Sequence, residues 1–447
     1  MMFRGHTKNK ILPLAFLCFA VSVGACGIFR PAQNQSVSST VPPASLIAST
    51  EDTSISEIRF LEARLRKDPE DFSANNKLAI LYLQRLRETG DIQYLDLAFR
   101  VARASLASVP DVRNSGGLAA LALAEFASHD FSDARDHALR IIELNPAKSY
   151  PQGILGDSLA ELGEYEKAET AYKKITLLDG GASHDSETRF ARLAQLKGDV
   201  AGAKKHFDNA LTFALNLTMP PRETVAWLRW QLGETAFSTG EYQTAEKYYR
   251  DALIAFPDYY RAVASLAKVR AAQNDLPGAI EHYEKAVRLL PDPNYIAALG
   301  DLYTIVGRTE DAEKQYELVE EIGHLSDLNG SLYNRQLAVF YADHDKKIEE
   351  AYKLAAKEYE VRRDIYGADA LAWTALKTGK LAEAQTAIKE ALRLNTKDAK
   401  LFYHAGMIAF ANNDKAEAKK FIKLTLELNP QFDPVQSAIA KSTLEKL

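Results

Sequence analysis

The sequence predicts an all-α fold, a right-handed α-solenoid of about ten helix–turn–helix units that ends in a capping helix. The first observation is an alanine that recurs at intervals of 36, 34, 35, 42, 34, 33, 39, 33 and 34 residues. These alanines are Ala98, Ala134, Ala168, Ala203, Ala245, Ala279, Ala312, Ala351, Ala384 and Ala418. A period near 34 residues is typical of an array in which each unit is one pair of helices.

The second observation concerns the turn inside each unit, at position 15 when the alanine is counted as position 20. This position holds Gly163, Gly198, Gly240, Gly307 and Gly379, with Asn274 and Asn413 in place of glycine. Both residue types tolerate the left-handed conformation that ends many helices, so the first helix of each unit is predicted to stop there. His129 occupies the same position in another unit, which indicates a strained helix end rather than a metal ligand.

The third observation is a proline at position 32 and a small residue at position 8. The prolines are Pro110, Pro146, Pro257, Pro291 and Pro430. Because proline disfavours helical geometry in the preceding residue, each second helix is predicted to end just before its proline. The small residues, which predict a close crossing of the two helices, are Ala122, Gly156, Gly233, Ala267, Gly300, Ala372 and Gly406.

Two stretches carry the whole pattern. Residues 149–172 contain Gly156, Gly163, Tyr165, Ala168 and Tyr172, and residues 232–253 contain Gly233, Gly240, Tyr242, Ala245 and Tyr249. In these residues the chain resembles the tetratricopeptide repeat (TPR) family, and the resemblance extends over roughly residues 71 to 432. It implies N-terminal units within residues 57–215, central units within 222–325 and C-terminal units within 330–432. The first unit has a longer internal turn, and the unit around Ala351 lacks the glycine of position 15.

The N-terminal segment, residues 1–25, is predicted to be a signal peptide. Arg4, Lys8 and Lys10 precede an apolar run that small residues follow. Val-Gly-Ala-Cys at residues 23–26 resembles a bacterial lipobox, which implies an exported lipoprotein whose mature N-terminus is the lipid-modified Cys26. Two alternatives stay open: an uncleaved anchor from Ile11 to Phe29, and general cleavage with soluble export.

Residues 26–56 are rich in Ser, Pro and Thr, which predicts a flexible linker behind Cys26. A leading helix is predicted near residues 56–66. At the other end, residues 433–447 are predicted to form the capping helix, with Lys441, Glu445 and Lys446 facing outward.

Charge and cysteine content limit the classes of function. The formal net charge is −5, and removal of residues 1–25 with their three basic residues shifts it to −8. A nucleic-acid-binding surface needs a basic footprint, so the sequence predicts no nucleic-acid partner. Cys18 would leave with the signal peptide, so the mature chain would have no disulfide and no thiolate metal site.

Catalytic motifs are missing from the sequence. It contains no His-Glu-x-x-His, no Gly-x-Ser-x-Gly and no Gly-x-x-x-x-Gly-Lys-Ser/Thr phosphate loop. The nearest approach to a metal cluster is Asp343-His344-Asp345, which falls where a helix should end and is therefore interpreted as a solvated turn. We predict no enzyme activity, no cofactor and no metal.

Binding is the function that remains. In the TPR family, positions 2, 5 and 9 of each unit usually point into the concave groove, and the resemblance carries these positions over to this chain. The predicted partner-binding residues are Tyr150, Asp157, Trp227, Trp230, Glu234, Arg261, Lys268, Asp301, Tyr366, Trp373, Tyr403 and Met407. The same positions give Gly153, Ala264, Asn294, Ala297, Tyr333, Gln336, Phe340, Asp369 and Lys400. Aromatic side chains often dominate binding energy at interfaces.

Several interpretations of this groove stay open. Trp227 and Trp230 could instead fill the junction left by the 42-residue interval, and the chain's own tail could occupy the groove. The leading hypothesis is a non-enzymatic scaffold for protein or peptide partners in the bacterial cell envelope, anchored in the membrane and facing the periplasm or the cell surface. The alternative is an accessory lipoprotein for a glycan or peptide, with Trp373 and Asp369 as its platform. The sequence leaves the oligomeric state open.

Overall fold

A computed structural model describes residues 50–328 and 335–447, which form 22 α-helices. The predicted signal peptide, Cys26, most of the predicted linker and Tyr333 lie outside the described residues. Among the described helices, none has the length and apolar content needed to cross a bilayer.

The helices form ten consecutive pairs between a leading helix and a capping helix, as the sequence predicts. The leading helix is α1 (Thr50–Lys67), and units 1 to 5 are α2 (Phe72–Thr89) and α3 (Gln93–Ser108), α4 (Ser115–Ala127) and α5 (Phe131–Leu144), α6 (Tyr150–Glu161) and α7 (Tyr165–Asp179), α8 (His184–Leu196) and α9 (Val200–Leu215), and α10 (Arg222–Ser238) and α11 (Tyr242–Ala255). Units 6 to 10 are α12 (Tyr260–Ala272) and α13 (Leu276–Leu289), α14 (Pro293–Ile305) and α15 (Thr309–Leu328), α16 (Arg335–Asp343) and α17 (Ile348–Val361), α18 (Ile365–Lys377) and α19 (Leu381–Ala391), and α20 (Ala399–Ala411) and α21 (Lys415–Leu428). The capping helix is α22 (Gln436–Glu445), and Lys441, Glu445 and Lys446 are exposed as predicted.

The three sequence signals act as predicted. All ten recurring alanines are buried, with at most 2% of their surface exposed, because each sits where the second helix crosses the first. Every predicted position-15 residue has a positive φ, including His129 at 67°, and unit 8 uses Asp345 and Lys347 instead of a glycine. The residue before each of the five prolines has left helical geometry, with φ between −138° and −151°, so α3, α5, α11, α13 and α21 end two residues before their prolines.

The array winds into a superhelix whose successive turns touch. Tyr165 Oη accepts a hydrogen bond from the Ile365 amide at 2.9 Å, and Asn429 Nδ2 donates to the Phe237 carbonyl at 2.8 Å. The partners in these bonds lie 200 and 192 residues apart in sequence. One superhelical turn therefore contains roughly six units of 34 residues.

We call this contact between turns the seam: residues 159–198 against residues 362–401, continued by residues 237–242 against 428–431. Its apolar part joins Leu159, Tyr165 and Leu193 with Ile365 and Leu401 in one buried cluster. The seam ties the N-terminal units to the C-terminal units, which an array stabilised only by adjacent repeats would not do.

A buried network of charges lies in the seam. Arg362 bonds Glu161 across the two turns, and Arg192 adds a second contact to Glu161 at 2.8 Å. Arg335 Nη2 lies 2.6 Å from both Glu358 Oε1 and Asp364 Oδ2. Burial alone would raise the pKa of Glu161, but Arg362 and Arg192 overcome this effect and hold it at about 2. Glu161 is therefore ionised throughout the neutral range, and removal of Arg362 would leave it without its main counter-ion.

Candidate functional site

A repeated three-residue arrangement positions acidic groups on the inner face of the superhelix. In unit 3 the ring of Tyr172 lies over Gly156 and its hydroxyl donates to Asp157 Oδ1 at 3.1 Å. A Cβ at residue 156 would lie 2.3 Å from the Tyr172 ring, so only glycine fits. In this unit position 8 is therefore glycine because a tyrosine from the second helix passes over it to reach the acid at position 9.

Units 5 and 7 repeat this arrangement. Tyr249 crosses Gly233 and donates to Glu234 at 2.7 Å, and Tyr316 crosses Gly300 and donates to Asp301 at 2.8 Å. In each case glycine and acid are adjacent and the tyrosine follows the acid by 15 residues. The tyrosine fixes the orientation of the carboxylate, because its hydroxyl group donates a hydrogen bond to one of the two carboxylate oxygens.

Each of these acids also receives a cationic or polar group from the following unit. Lys268 Nζ lies 2.7 Å from Glu234 Oε2, and Ser265 Oγ donates to Glu234 Oε1 at 2.6 Å. His344 Nε2 lies 2.8 Å from Asp301 Oδ1. These bonds cross the boundary between adjacent units, so they fix α10 against α12, and α14 against the C-terminal end of α16.

A cavity of about 310 Å³ opens on this inner face, which we call the central cavity. One wall consists of α10, α12 and α14 and includes Trp230, Lys268 and Asn294. The opposite wall consists of α16, the start of α20 and the chain between α21 and α22, including Phe340 and Asp433. The central cavity therefore lies between the middle of the array and its C-terminal end.

The wall near Trp230 is ordered by aromatic and polar contacts. Trp230 Nε1 donates to Ser265 Oγ at 2.9 Å, and the Arg261 guanidinium lies 5.4 Å from the centre of the Trp230 ring system. Burial alone would raise the pKa of Glu234, but the Lys268 charge and the hydrogen bonds to this acid lower it. Glu234 is therefore ionised at neutral pH and holds Lys268 at the wall.

The opposite wall is organised by Asp343. Its Oδ1 accepts from Trp373 Nε1 and Gln436 Nε2, each at 2.8 Å, and its Oδ2 accepts from Lys400 Nζ at 2.8 Å. The prediction that Asp343-His344-Asp345 is a solvated turn is therefore wrong for Asp343 and His344, whose side chains are each 16% exposed. Only Asp345, 74% exposed, fits that prediction. Among the described residues, no group of three or more His, Cys, Asp or Glu side chains could hold a metal.

Two titratable groups at this wall have shifted pKa values. Burial lowers the pKa of His344, but the hydrogen bond and charge of Asp301 outweigh burial, so the pKa rises overall. Burial raises the pKa of Asp433, and the nearby Lys400 only partly offsets the effect. Asp433 Oδ1 also accepts the Gln436 amide at 2.7 Å, which caps α22.

The structure brings many of the predicted groove residues together at the central cavity. Those that line it are Trp230, Ala264, Lys268, Asn294, Ala297, Asp301, Gln336, Phe340 and Lys400. Glu234 and Arg261 lie directly behind them, through their contacts with Lys268 and Trp230.

The other predicted groove residues are packed into the protein. Trp227 is 8% exposed and packs edge-on against Phe207, which matches the alternative in which it fills the junction between units 4 and 5. Asp157 is bound by Arg189 at 2.7 Å, and Tyr150 is half-buried against the core of the first units. Gly153 lies against the Arg189 side chain, and Asp369 accepts from buried His404 at 2.9 Å.

Trp373, Tyr403 and Met407 lie together, but the chain itself covers them. Trp373 and Tyr403 are 3% and 2% exposed and belong to one cluster with Phe432, Ala440 and Leu444 from the C-terminal end. Tyr366 lies in a different cluster, the apolar part of the seam. These positions therefore present no open aromatic platform in this conformation.

Sequence reasoning missed the residues that order the central cavity: Tyr249, Ser265, Tyr316, His344 and Asp433. A signal for the two tyrosines was present, because Gly-Glu or Gly-Asp is followed by tyrosine at the same spacing in units 3, 5 and 7. Asp433 carried no such signal, since its place depends on the path of the chain after the last unit.

Comparison with known proteins finds the same repeat by sequence. One model of the tetratricopeptide repeat matches residues 119–183, 231–292 and 370–431, and another matches residues 182–257. Together they cover more than half of the chain. The TPR repeat-containing protein YpiA of Bacillus subtilis (strain 168) is 25% identical over 292 residues, which are 65% of this chain and 58% of that protein. The match thus spans less than two thirds of the length of that relative.

Solved structures with a similar arrangement include PilW, a type IV pilus biogenesis factor, with 16% identity and a TM-score of 0.40 over 46% of this chain and 92% of PilW. Yeast Tom70 has 13% identity and a TM-score of 0.36 over 89% of this chain and 92% of its own. Human IFIT1 has 14% identity and a TM-score of 0.42 over 80% of this chain and 96% of its own.

Proposed function

This chain belongs to the tetratricopeptide repeat family, and from that premise we propose that it is a non-enzymatic scaffold of the bacterial cell envelope. In this proposal, segments of partner polypeptides bind on the inner surface of the superhelix. The observation that carries the proposal is the central cavity, whose walls come from four consecutive units and from the C-terminal end. Its volume of about 310 Å³ suits a few side chains of a partner rather than a folded domain.

The chemistry of the walls supports a polypeptide as the partner. Trp230 and Phe340 supply aromatic area, and aromatic anchors dominate many protein interfaces. Asn294 is exposed at the cavity, and an amide side chain can both donate to and accept from a peptide backbone. Lys268 and Asp301 are held in place by Glu234 and His344, so partner binding would not have to order them first.

The location in the envelope rests on the sequence of the N-terminal segment. Residues 1–25 have the charge and apolar pattern of a signal peptide, and Cys26 stands where a lipid-modified cysteine would follow the cleavage site. A lipid anchor at Cys26 and a linker up to the leading helix would hold the scaffold close to a membrane. Intact-mass measurement on protein from the membrane fraction tests this part, because cleavage before Cys26 with added acyl chains gives a defined mass. A chain that retains residues 1–25, or lacks acyl groups, would contradict it.

Site-specific photo-crosslinking in cells tests the binding site. A photoreactive residue at Asn294 points at the central cavity, and the matched control is the same residue at Glu281, an exposed position on α13 outside the cavity. We expect a discrete crosslinked polypeptide from position 294 that is absent from position 281. Equal products from both positions, or products only within the chain, would contradict the proposal.

The second candidate is binding of a small ligand such as a glycan or a short peptide, and one observation favours it. The central cavity is bounded on one side by the chain's own residues 431–434, which is more enclosure than a partner-binding groove requires. Trp230 is the tryptophan that lines the cavity, whereas Trp227 and Trp373 are buried. Oligosaccharide that quenches tryptophan fluorescence in the native protein but not in Trp230→Phe would support this candidate, and no quenching in either protein would exclude binding at that wall.

A further inference from the structure

The inner surface of units 8 to 10 carries the second inference. We propose that it is a docking site for a short amphipathic helix of a partner polypeptide, and that the chain's own residues 431–445 occupy it as an intramolecular stand-in. We call these residues the C-terminal segment. The proposal rests on the proposed function only in taking the partner to be a polypeptide.

The surface beneath the C-terminal segment is aromatic. The rings of Trp373 and Tyr403 are 5.7 Å apart, and Phe432 lies 5.5 Å from Tyr403. Ala440 is completely buried in the same cluster, and Thr443 Oγ1 lies 3.7 Å from Met407 Sδ. Trp373, Tyr403 and Met407 are among the predicted groove residues, so the segment covers part of the predicted groove as well as the end of the array.

Polar contacts give the segment a defined register. Gln436 Nε2 donates to Asp343, which belongs to unit 8 and also binds Lys400 of unit 10. Asp433 caps α22 by accepting the amides of Val435 and Gln436 at 2.9 and 2.7 Å. An acid at the N-terminus of the docked helix also lies near Lys400, whose charge lowers the pKa of Asp433 against the effect of burial.

The segment buries little apolar surface for a helix of this protein. The buried residues of α22 are Gln436, Ser437, Ala440 and Thr443, which are small or polar. In contrast, α20 buries Leu401, Phe402, Tyr403 and Ile408 among others. Because stabilisation follows the apolar area removed from water, α22 should open locally at a lower free energy than the units beneath it.

The exposed side of the segment is unusual for a cap. Val435 and Ile439 are 37% and 42% exposed, whereas a helix that only shields the end of a repeat array is expected to be polar on its outer face. An apolar outer side fits a segment that is sometimes released and makes other contacts. The segment also shows what a partner must present. It needs an aromatic residue in the place of Phe432, an acid that caps a helix in the place of Asp433, and a small residue on the buried side of that helix in the place of Ala440.

Hydrogen exchange on the full-length protein tests whether the segment is released. We expect the amides of α22 to exchange at least about 100-fold faster than those of α20, through opening that leaves α20 and α21 protected. Protection of α22 equal to that of α20 would show an integral cap and would overturn the proposal.

A peptide experiment tests whether the uncovered surface binds a helix. Ala440→Arg introduces a long cation at a fully buried position and should displace the segment, whereas Ile439→Arg, at a position 42% exposed, should leave it in place. We expect a labelled peptide of residues 431–447 to bind Ala440→Arg at least about tenfold more tightly than the native protein or Ile439→Arg. If α22 exchanges rapidly in Ala440→Arg and the peptide still does not bind, the surface is not a docking site. Neither result depends on the crosslink at Asn294, so the proposed function can fail separately.

Discussion

Units 3, 5 and 7 share the Gly-acid-Tyr arrangement, but the acid of unit 3 is buried whereas the acid of unit 5 is partly exposed. In unit 3, Asp157 accepts hydrogen bonds from both Nε and Nη2 of Arg189, at distances from 2.7 to 3.2 Å, and both side chains are less than 10% exposed. In unit 5, Glu234 pairs with Lys268, and these side chains are 24% and 35% exposed beside the central cavity. The identity of the cation in the next unit accounts for this difference in exposure. The planar guanidinium of arginine donates several hydrogen bonds to one carboxylate, whereas the ammonium of lysine contacts it at a single point. One repeated position thus serves as internal structure in one region and as a cavity wall in another.

Removal of each cation should separate the two regions most clearly. Arg189→Ala leaves Asp157 buried without its counter-ion, and we expect the free energy of unfolding to fall by about 3–5 kcal/mol. Lys268→Ala leaves Glu234 partly exposed and still bonded to Ser265 and Tyr249, so we expect a loss of about 1 kcal/mol or less. Urea unfolding followed by circular dichroism measures both, and equal losses would show that the two acids do not differ in role.

Two glycines at the same position of their units allow the seam to be compared with a turn whose glycine faces open space. Gly163 and Gly379 both occupy position 15 with φ of 82° and 74°, but a Cβ at residue 163 would lie 2.2 Å from the Arg363 carbonyl oxygen. A Cβ at residue 379 would meet nothing within 4 Å. We expect Gly379→Ala to cost about 1 kcal/mol from backbone strain alone and Gly163→Ala to cost about 2–3 kcal/mol. Similar melting temperatures for the two variants would mean that the seam does not contribute to stability.

Two buried carboxyl groups with opposite pKa shifts, Asp292 and Glu161, should make stability depend on pH in opposite directions. Burial raises the pKa of Asp292, between α13 and α14, to about 7, which is above the usual value of about 3.9 in an unfolded chain. Ionisation of Asp292 therefore destabilises the fold as pH rises from about 4 to 7, and this penalty is absent at lower pH. Asp292→Asn keeps a residue type suited to a helix N-terminus and stays neutral. We expect its stability relative to the native protein to increase by about 1–2 kcal/mol between pH 4.5 and 7.5 in urea titrations.

Glu161 in the seam supplies the opposite control. Its pKa of about 2 lies below the unfolded value, so its stabilising contribution is present above about pH 4.3 and is lost as pH falls towards 2. Glu161→Gln should therefore lose its disadvantage relative to the native protein on acidification. A parallel pH dependence for Asp292→Asn and Glu161→Gln would contradict the assignment of opposite environments to these two sites.

The smallest expected effect concerns His344 at the central cavity. Asp301 raises the pKa of His344, so the stabilisation that this pair contributes is complete below the unfolded histidine pKa of about 6.5 and is lost as pH rises through the folded value. We expect His344→Gln to be less stable than the native protein by about 0.5 kcal/mol at pH 6 and by less at pH 8.5. A disadvantage that grows with pH would show that the neutral form of His344 is the one that binds Asp301.

Much of the fold was predictable because its signals are local. Glycine or asparagine at position 15 and proline at position 32 act on the backbone of their own unit, and the structure places helix ends at each. The close crossing at position 8 was predicted. Its cause in units 3, 5 and 7 was not, because the glycine, the acid and the tyrosine have to be considered as one arrangement. The seam could not be predicted from the sequence alone, since contacts such as Tyr165 with Ile365 depend on small rotations accumulated over roughly six units.

The candidate site was predictable only in its central part. Positions carried over from the repeat identified Trp230, Lys268 and Asp301, because units 5 to 7 follow the regular geometry. The same rule misjudged the surroundings of Trp373 and Tyr403, since the C-terminal segment folds back over them. Residue type alone does not reveal which aromatic residues the chain itself covers.

The seam also limits how this array can change during evolution. Open repeat arrays gain or lose whole repeats by gene duplication, because each added copy stacks on the next without disturbing distant ones. Here a duplication between residues 242 and 362 would shift both parts of the seam by about 34 residues and would break their bonds together. The number of repeats between the two sides of the seam is therefore expected to be constant in any lineage that keeps the coil closed.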